Sequence, residues 1–165
     1  MSAEAYDPAR NIERSEYGAP SFADRYHTYR PQPPAALEDV LTQLAHVERP
    51  GLVVDLGSGT GLSTFIWAER AAQVIGIEPN AAMRARAEAH PPVPSVRFQS
   101  GFAHQTGLLD GCADIVTCAQ ALQWMEPQST FAEVTRILRP SGVFAAYDYD
   151  WPPVMRWEAM QAFSY

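Results

Sequence analysis

Residues 52–61 read Leu-Val-Val-Asp-Leu-Gly-Ser-Gly-Thr-Gly and combine a short apolar run with three alternating glycines. The apolar part is typical of a buried strand, and the glycines Gly57, Gly59 and Gly61 indicate a tight turn directly after it. A glycine lets the backbone turn sharply and lets a ligand lie against the main chain. Because Thr60–Arg70 returns to helical spacing, this stretch predicts a strand, a turn and a helix.

Two helices are predicted before this unit. In the first, over Ser21–Arg30, aromatic residues recur at helical spacing after a serine suited to N-capping, and Pro31 ends the segment. The second helix follows Pro33 and Pro34 and stops before Pro50. Its predicted inner face consists of Leu37, Val40, Leu41 and Leu44.

Strands and helices continue to alternate after the glycine turn, and residues that favour turns or helix caps separate them. The most telling separators are Asn80, which can cap a helix, and the Pro140-Ser141-Gly142 turn before the last strand. The predicted strands are Val74–Ile77, Val96–Phe98, Ala113–Cys118 and Val143–Tyr147; the predicted helices are Asn80–Ala89 and Gln128–Leu138, the latter with Phe131, Val134, Ile137 and Leu138 inward.

Near-continuous apolar strands joined by helices indicate an α/β fold, namely a Rossmann-like, doubly wound and mostly parallel sheet covered on both faces. We predict one domain over residues 21–165 and a flexible N-terminal arm over residues 1–20. In such a sheet, ligands bind beyond the carboxyl ends of the strands, where the strand order reverses. The strand ends are therefore the places to look for functional residues.

Composition limits the possible partners. The chain has 12 basic and 19 acidic residues, a net charge of −7, and its acids are scattered along the sequence. Nucleic acid is not expected as a partner, because phosphate binding needs a concentrated basic face. No apolar run approaches the length of a membrane span, so no membrane anchoring is expected. Every basic residue is arginine, which excludes mechanisms that need a lysine.

The two cysteines, Cys112 and Cys118, lie on the approach to a predicted strand and at its end. This is a poor geometry for a disulfide or for a metal site. We therefore expect a reduced, cytoplasmic protein with no bound metal.

Two acidic residues mark the ends of the first two strands. Asp55, two residues before Gly57, is predicted to place a carboxylate at the mouth of the site, where it could meet an ammonium group. Glu78 ends the second strand 21 residues after Gly57, and its two oxygens can accept hydrogen bonds from both hydroxyls of a ribose. The glycine spacing, GxGxG, differs from the GxGxxG of dinucleotide-binding proteins.

Three motifs together carry a family resemblance: Asp55–Gly61 (DLGSGTG), Ile75–Met83 (IGIEPNAAM) and Asp114–Met125 (DIVTCAQALQWM). They resemble the class I S-adenosylmethionine (SAM)-dependent methyltransferases, and the likeness covers residues 21–150. Residues 22–31 (FADRYHTYRP) and 119–125 (AQALQWM) look more narrowly like the small-molecule branch that includes trans-aconitate methyltransferase-like proteins.

The resemblance implies a SAM site. Asp55 and the loop of Gly57, Ser58, Gly59 and Gly61 would hold the methionine part of the cofactor. Glu78 would hold the ribose, Pro79 and Met83 would flank the adenine, and Gln120 would lie near the sulfonium. Many relatives carry an acidic residue after strand three that meets the adenine amino group, whereas this sequence has Gly101, Phe102, Ala103 and His104. Adenine would then depend on backbone contacts and apolar packing near Phe102 and Ala103.

Further residues are candidates for a lid and an acceptor site. Tyr26, Tyr29 and Arg30 could cover the cofactor, with Arg30 pairing its carboxylate, or could form a simple packing helix. Tyr26, Trp124, Tyr147 and Tyr149 are placed to meet a small-molecule acceptor. No catalytic residue is assigned; His104, Asp148 and Asp150 are weak candidates for a general base. Relatives of this branch often have His where this chain has Gln123, so that residue offers no base here.

The expected function is methyl transfer from SAM to a small-molecule acceptor by in-line displacement, for which the protein mainly supplies alignment and a dry cavity. Two alternatives stay open: a non-catalytic or truncated SAM-binding domain, and a nicotinamide-dependent oxidoreductase. About five strands are expected, without the C-terminal antiparallel hairpin usual in the family. The last strand would then be an exposed apolar edge, which suits a fragment or self-association through that edge.

Overall fold

The computed structural model describes residues 20–148. Within this range, helices and strands alternate as the sequence predicts, with two short 3-10 turns at Ile66–Ala68 and Leu122–Trp124. The elements are α1 (Pro20–Tyr29), α2 (Ala36–Leu44), β1 (Leu52–Leu56), α3 (Leu62–Phe65), β2 (Gln73–Ile77), α4 (Ala81–Glu88), β3 (Val96–Gln99), β4 (Ala113–Ala119), α5 (Pro127–Ile137) and β5 (Leu138–Tyr147).

The described strands form one parallel sheet in the order β3-β2-β1-β4-β5. The central strand β1 pairs with β2 through Val53 opposite Val74 and with β4 through Val53 opposite Ile115. The strand order reverses between β1 and β4, which makes the carboxyl ends of these two strands the switch point of the sheet. The Rossmann-like fold predicted from the sequence is therefore confirmed.

Two apolar layers cover the faces of the sheet. Successive β1 side chains point to opposite faces, so Val53 packs in one layer while Val54 and Leu56 pack in the other. The first layer also contains Trp67 and Leu41, and the second contains residues of β4 and α5. Because both faces are buried, the strands need continuous rather than alternating apolar sequence.

The predicted inner faces of two helices are partly wrong. In α2, Leu41 is buried, but Val40 and Leu44 are 50% and 58% exposed. The helix meets the sheet through the narrow row of Leu37, Leu41 and Ala45, four residues apart, so neighbours on the flank stay in solvent. In α5, Val134 and Ile137 are buried, whereas Phe131 is 44% exposed.

The last strand is longer than predicted. The Pro140-Ser141-Gly142 segment lies within β5 instead of preceding it, because β5 already pairs at Leu138 with Ala113. The next pairs join Ile115 to Val143, so extra β5 residues bulge out between these two points, and Ser141 has a left-handed φ of 65°. The turn residues are thus used for a bulge.

Helix boundaries also differ from prediction at two places. The helix begins at Pro20, so Ser21 lies within α1 and is not its N-cap. The segment predicted as a helix over Thr60–Arg70 is a single α-helical turn, α3, followed by a 3-10 turn. By contrast, Asn80 caps α4 as predicted. None of the helices within residues 20–148 has the length and apolarity needed to cross a membrane.

Candidate cofactor site

The glycine turn folds back onto the end of β2. The backbone amides of Gly57 and Ser58 both donate to the carbonyl of Ile77, at 2.9 and 3.1 Å. Gly57 has a φ of 67°, and a Cβ at this position would lie 2.5 Å from the Cβ of Ala121. The position therefore requires glycine for its conformation and for the close approach of the loop after β4.

Asp55 does not lie at the mouth of the site, and this prediction is wrong. Its carboxylate is fully buried and accepts hydrogen bonds from the hydroxyls of Thr64 at 2.6 Å, Ser63 at 2.7 Å and Thr117 at 2.9 Å. Burial raises the pKa of Asp55, and the three hydroxyl bonds act in the opposite direction. Asp55 thus joins β1, α3 and β4 beneath the glycine turn.

Glu78 holds the glycine turn from the other side. One carboxylate oxygen accepts the amide of Gly59 at 2.8 Å, and the other accepts the amide of Asn80 at 2.7 Å. Glu78 is 7% exposed, and burial raises its pKa while the two amides and Arg84 oppose that shift. Each carboxylate oxygen has a second lone pair, so hydroxyl donors of a ribose can still be accepted.

The start of α4 lies directly behind Glu78. The Asn80 side chain accepts from the amides of Ala82 and Met83, at 2.9 and 3.1 Å, which caps the helix. Met83 is 4% exposed, and its methyl group would lie 3.4 Å from a Cβ at Gly59. Pro79 is half-buried between Glu78 and the cap. These residues form a closed support for the loop.

An open cleft with about 390 Å³ of free space lies at the carboxyl ends of β1 and β4, beside the glycine turn. It brings together seven residues predicted for the cofactor or acceptor with six others, Pro31, Pro33, Thr60, Leu62, Ser63 and Ala119. The predicted residues in the lining are Tyr26, Arg30, Gly57, Ser58, Gly59, Gln120 and Tyr147.

Arg30 and Gln120 meet across this cleft. The Nε of Arg30 donates to the Oε1 of Gln120 at 2.6 Å, and a terminal nitrogen of the guanidinium donates to the same oxygen. The guanidinium also lies 5.1 Å from the centre of the Tyr26 ring. An ion pair of 2.9 Å between Asp24 and Arg86 joins α1 to α4. Helix α1 and Arg30, directly after it, thus contribute one wall of the cleft.

Several predicted site residues lie outside the cleft lining. Tyr29, the last residue of α1, is 82% exposed, whereas Tyr26 and Arg30 line the cleft. Trp124 is 43% exposed and ends a 3-10 turn beyond Gln120. The placement of both beside the cofactor or acceptor is therefore not supported by the lining.

The segment after β3 also lies outside the lining. Ala103 is 8% exposed and belongs to the core, whereas Phe102 is half-buried and stacks on His104 with 5.5 Å between ring centres. Gly61 precedes α3 and packs against Phe65 and Phe98 rather than in the cleft.

Among the residues considered for base catalysis, Asp148 is the last residue that the structure describes, directly after β5. Tyr149 and Asp150 lie outside the described residues. Cys118 is buried, and burial raises the pKa of its thiol to about 12, so it packs as a small apolar side chain.

Sequence reasoning missed the three hydroxyl residues around Asp55. Ser63 and Thr64 follow the glycine turn, and their hydroxyls point back to Asp55 in β1. The sequence of this segment alone does not identify Asp55 as their partner. Thr117 lies directly opposite Asp55 in the β1–β4 register. A correct pairing of the two strands would have identified it.

The fold and the site define a class of protein: an α/β domain with an open cleft at the switch point of a parallel sheet, where such sheets bind their ligands. Residues 54–146 match the family model described as a methyltransferase domain. This span exceeds half of the chain, so the protein belongs to the methyltransferase domain family, of the class I SAM-dependent type. SAM is the methyl donor of this family.

Individual relatives agree with this assignment. The chain is similar to a trans-aconitate 2-methyltransferase of Deinococcus radiodurans, with 37% identity over 74% of this chain and 46% of that protein. It is 35% identical to an uncharacterized methyltransferase of Mycobacterium tuberculosis over 74% of this chain and 48% of the relative. The chain thus spans about half the length of the curated relatives it matches.

A solved structure shows the same architecture. A protein from Anaeromyxobacter dehalogenans, described as a candidate type II methyltransferase, superposes with a TM-score of 0.67 at 31% identity. The match covers 74% of this chain and 50% of that one.

Proposed function

We propose that this chain binds SAM in the cleft beside the glycine turn and transfers its methyl group to a small-molecule acceptor. The observation that carries the proposal is the position of the glycine turn. The Glu78 carboxylate binds the turn on one side, and the cleft bordered by Arg30 and Gln120 lies on its other side. The similarity to a trans-aconitate 2-methyltransferase supports a small acceptor.

The residues present fit such a cofactor. Glu78 keeps lone pairs for ribose hydroxyls beside the loop, and the glycines leave the loop backbone uncovered by side chains on the cleft side. Ser58, Gly59 and Thr60 line the cleft next to Gln120, where the methionine part would lie. When bound, SAM supplies an electrophilic methyl group on a sulfonium.

The protein's own contribution is alignment. Tyr26 of α1 and Arg30, directly after α1, line one side of the cleft. Gln120 and Tyr147 bound it at the ends of β4 and β5, and Leu62 adds an apolar side. A methyl transfer by in-line displacement needs an acceptor aligned with the methyl group and shielded from water, and the walls of the cleft can hold the two reactants in line. Proton removal is needed only from an acceptor that is protonated, and His104 and Asp148 stay proposals for that role.

The binding half of the proposal is tested by isothermal titration calorimetry of the chain with SAM, S-adenosylhomocysteine and NADH. We expect both sulfur nucleosides to bind and NADH to give no heat. Binding of NADH alone would show that the cleft takes a nicotinamide cofactor and would contradict the proposal.

The transfer half requires turnover. Incubation with SAM labelled in the methyl group and a panel of small carboxylic acids, amines and phenols should transfer label to at least one acceptor. The variant to test is Gly59→Val, which places a β-branched residue at a φ of 55° in the glycine turn, where its Cβ would already touch the Met83 methyl group at 3.4 Å. We expect this variant to lose both binding and transfer. Tight cofactor binding without transfer to any acceptor would favour a binding module.

A further inference from the structure

Helix α1 packs loosely against the rest of the domain. Among its described side chains, Ala23 alone is buried. An ion pair of 2.9 Å joins Asp24 of α1 to Arg86 of α4. A helix of 10 residues is marginal in water by itself. Helix α1 therefore depends on its few contacts with the domain, and a modest change in them is enough to release it.

His27 lies within this contact. It follows Asp24 by three residues, so the two side chains share one face of α1. The His27 ring is half-buried, and its Nδ1 has almost no accessible surface and no hydrogen-bond partner among residues 20–148. The backbone of Thr60, in the glycine turn, also faces the ring. The imidazole thus lies where α1 meets α4 and the glycine turn.

Two cations and one carboxylate face the His27 ring among the described residues. Burial lowers the pKa of His27 below its usual value, and the charges of Arg86 and His90 lower it further. The Thr60 backbone and Asp24 oppose this shift. The Asp24 side chain is 69% exposed and already pairs with Arg86, so it compensates a charge on the ring only in part.

His90 is held in place beside this contact. Its ring stacks on that of Phe65 with 4.0 Å between ring centres. Its Nδ1 also lies 2.8 Å from the carbonyl oxygen of Pro91. These contacts keep His90 next to His27, so the contact cannot easily relieve a charge on His27 by moving His90 away.

A proton binds His27 more tightly when α1 is released than when it is docked. In the released helix the ring is in water and has its ordinary pKa of about 6.5, whereas docking lowers that pKa. Docking is therefore fully favourable above about pH 6.5 and weakens as the pH falls below that value. One pH unit lower, the docking equilibrium is weakened by up to about tenfold.

We infer that α1 is an acid-released wall of the cleft, in which proton uptake by His27 separates α1 from α4 and the glycine turn. Tyr26 and Arg30 line the cleft from this wall and leave it when α1 is released. The consequence for cofactor binding rests on the proposed function, whereas the release of α1 needs no ligand.

The release is measured by hydrogen–deuterium exchange of the ligand-free chain at about pH 7.5 and about pH 5.5, with rates corrected for the intrinsic effect of pH. We expect the α1 amides to lose up to about tenfold in protection at the lower pH. They include the amide of Arg30, which donates to the carbonyl of Tyr26 at 3.0 Å. Helix α5 serves as the internal control and should stay protected. Unchanged protection of α1 would overturn the inference.

Two matched variants identify the group that takes up the proton. His27→Asn removes the titrating ring from the contact. His46→Asn is the control, because His46 is exposed just after α2 and its φ of 53° is one that Asn tolerates. Thermal melting establishes that both variants fold. We expect His27→Asn to lose the pH effect and His46→Asn to keep it; a wild-type pH effect in His27→Asn would overturn the inference.

A third variant decides the matter if α1 is already released in His27→Asn at both pH values. His90→Phe keeps a ring that can stack on Phe65 but removes one of the two cations facing His27. Docked His27 then takes up its proton more readily, so the loss of α1 protection at the lower pH should be smaller than in the wild-type chain. A loss as large as that of the wild type would contradict the charge repulsion assigned to this contact.

Calorimetry with S-adenosylhomocysteine tests the consequence for the cleft. The wild-type chain and His46→Asn should bind it up to about tenfold more weakly at the lower pH, and His27→Asn equally at both. Equal wild-type affinity at both pH values, beside a pH-dependent α1, would overturn the role of α1 as a wall of the cofactor cleft. If the wild-type chain binds no S-adenosylhomocysteine at either pH, the proposed function fails, and hydrogen exchange still decides the release of α1.

Discussion

The carboxyl edge of the sheet has two halves with opposite properties. In the closed half, at the end of β2, Glu78, Asn80 and Met83 are buried. The Glu78 carboxylate accepts from the amides of Gly59 and Asn80, and the Asn80 side chain accepts from amides in the first turn of α4. In the open half, at the ends of β1 and β4, the cleft is lined by the glycine turn, Arg30 and Gln120, among other described residues. The closed half therefore stabilises the conformation of the glycine turn, while the open half leaves space for a ligand.

The largest expected effect comes from the glycine turn that joins the two halves. Gly57→Ala should lower the free energy of unfolding by about 4 kcal/mol, since it adds left-handed strain and an overlap with Ala121. Gly107→Ala is the control, with a similar φ of 72° and no atom within 4 Å, and should cost only about 1 kcal/mol. Urea unfolding measures both. Equal losses would show that the close packing at Gly57 contributes nothing.

The pKa of Glu133, a carboxylate outside this edge, is shifted in the opposite direction from the pKa values of Asp55 and Glu78. Burial raises the pKa of Asp55 and Glu78, whereas Glu133 is bonded to Arg136 and Thr106, and these bonds lower its pKa to about 2. A lowered pKa stabilises the fold above the unfolded value of 4.5, and this contribution is lost as pH falls toward 2.

Glu133→Gln should therefore cost on the order of 3 kcal/mol at pH 7 and progressively less toward pH 2. Unfolding free energies of both proteins, measured between pH 7 and pH 2.5, check this. A difference that stays constant with pH would contradict the assigned ionisation of Glu133.

A smaller effect is expected beneath the glycine turn. Thr117→Val keeps the shape of the side chain but removes the 2.9 Å hydrogen bond to the buried Asp55 carboxylate, at a cost of about 1–2 kcal/mol. The matched change, Thr135→Val, removes an exposed hydroxyl bonded to the carbonyl of Phe131 and should cost less than about 0.5 kcal/mol. Chemical denaturation distinguishes the two. If Thr135→Val is the more costly change, the support assigned to Asp55 is wrong.

The sequence predicts the sheet and much of the open half, because local signals carry them. The apolar runs identify the strands, Asn80 predicts its helix cap, and the glycine spacing predicts the turn at the carboxyl end of β1, beside which the cleft lies. Tyr26, Arg30 and Tyr147 were also expected near the ligand and do line the cleft.

Other features depend on contacts between distant segments and escape a reading of one sequence. Asp55 is expected at the mouth from its position alone, but Ser63, Thr64 and Thr117 converge on it from two other elements. Val40 is a second example. The sequence places it on the apolar face of α2, but only the narrower row of residues around Leu41 contacts the sheet, so Val40 is half exposed.

The placement of the cofactor in the open half is tested most directly by hydrogen–deuterium exchange of the chain with and without S-adenosylhomocysteine. We predict slower exchange of backbone amides in residues 57–61 and 119–124, with little change in the β5 bulge around Ser141. Protection confined to segments outside the cleft, with the glycine turn exchanging at its unliganded rate, would contradict the account.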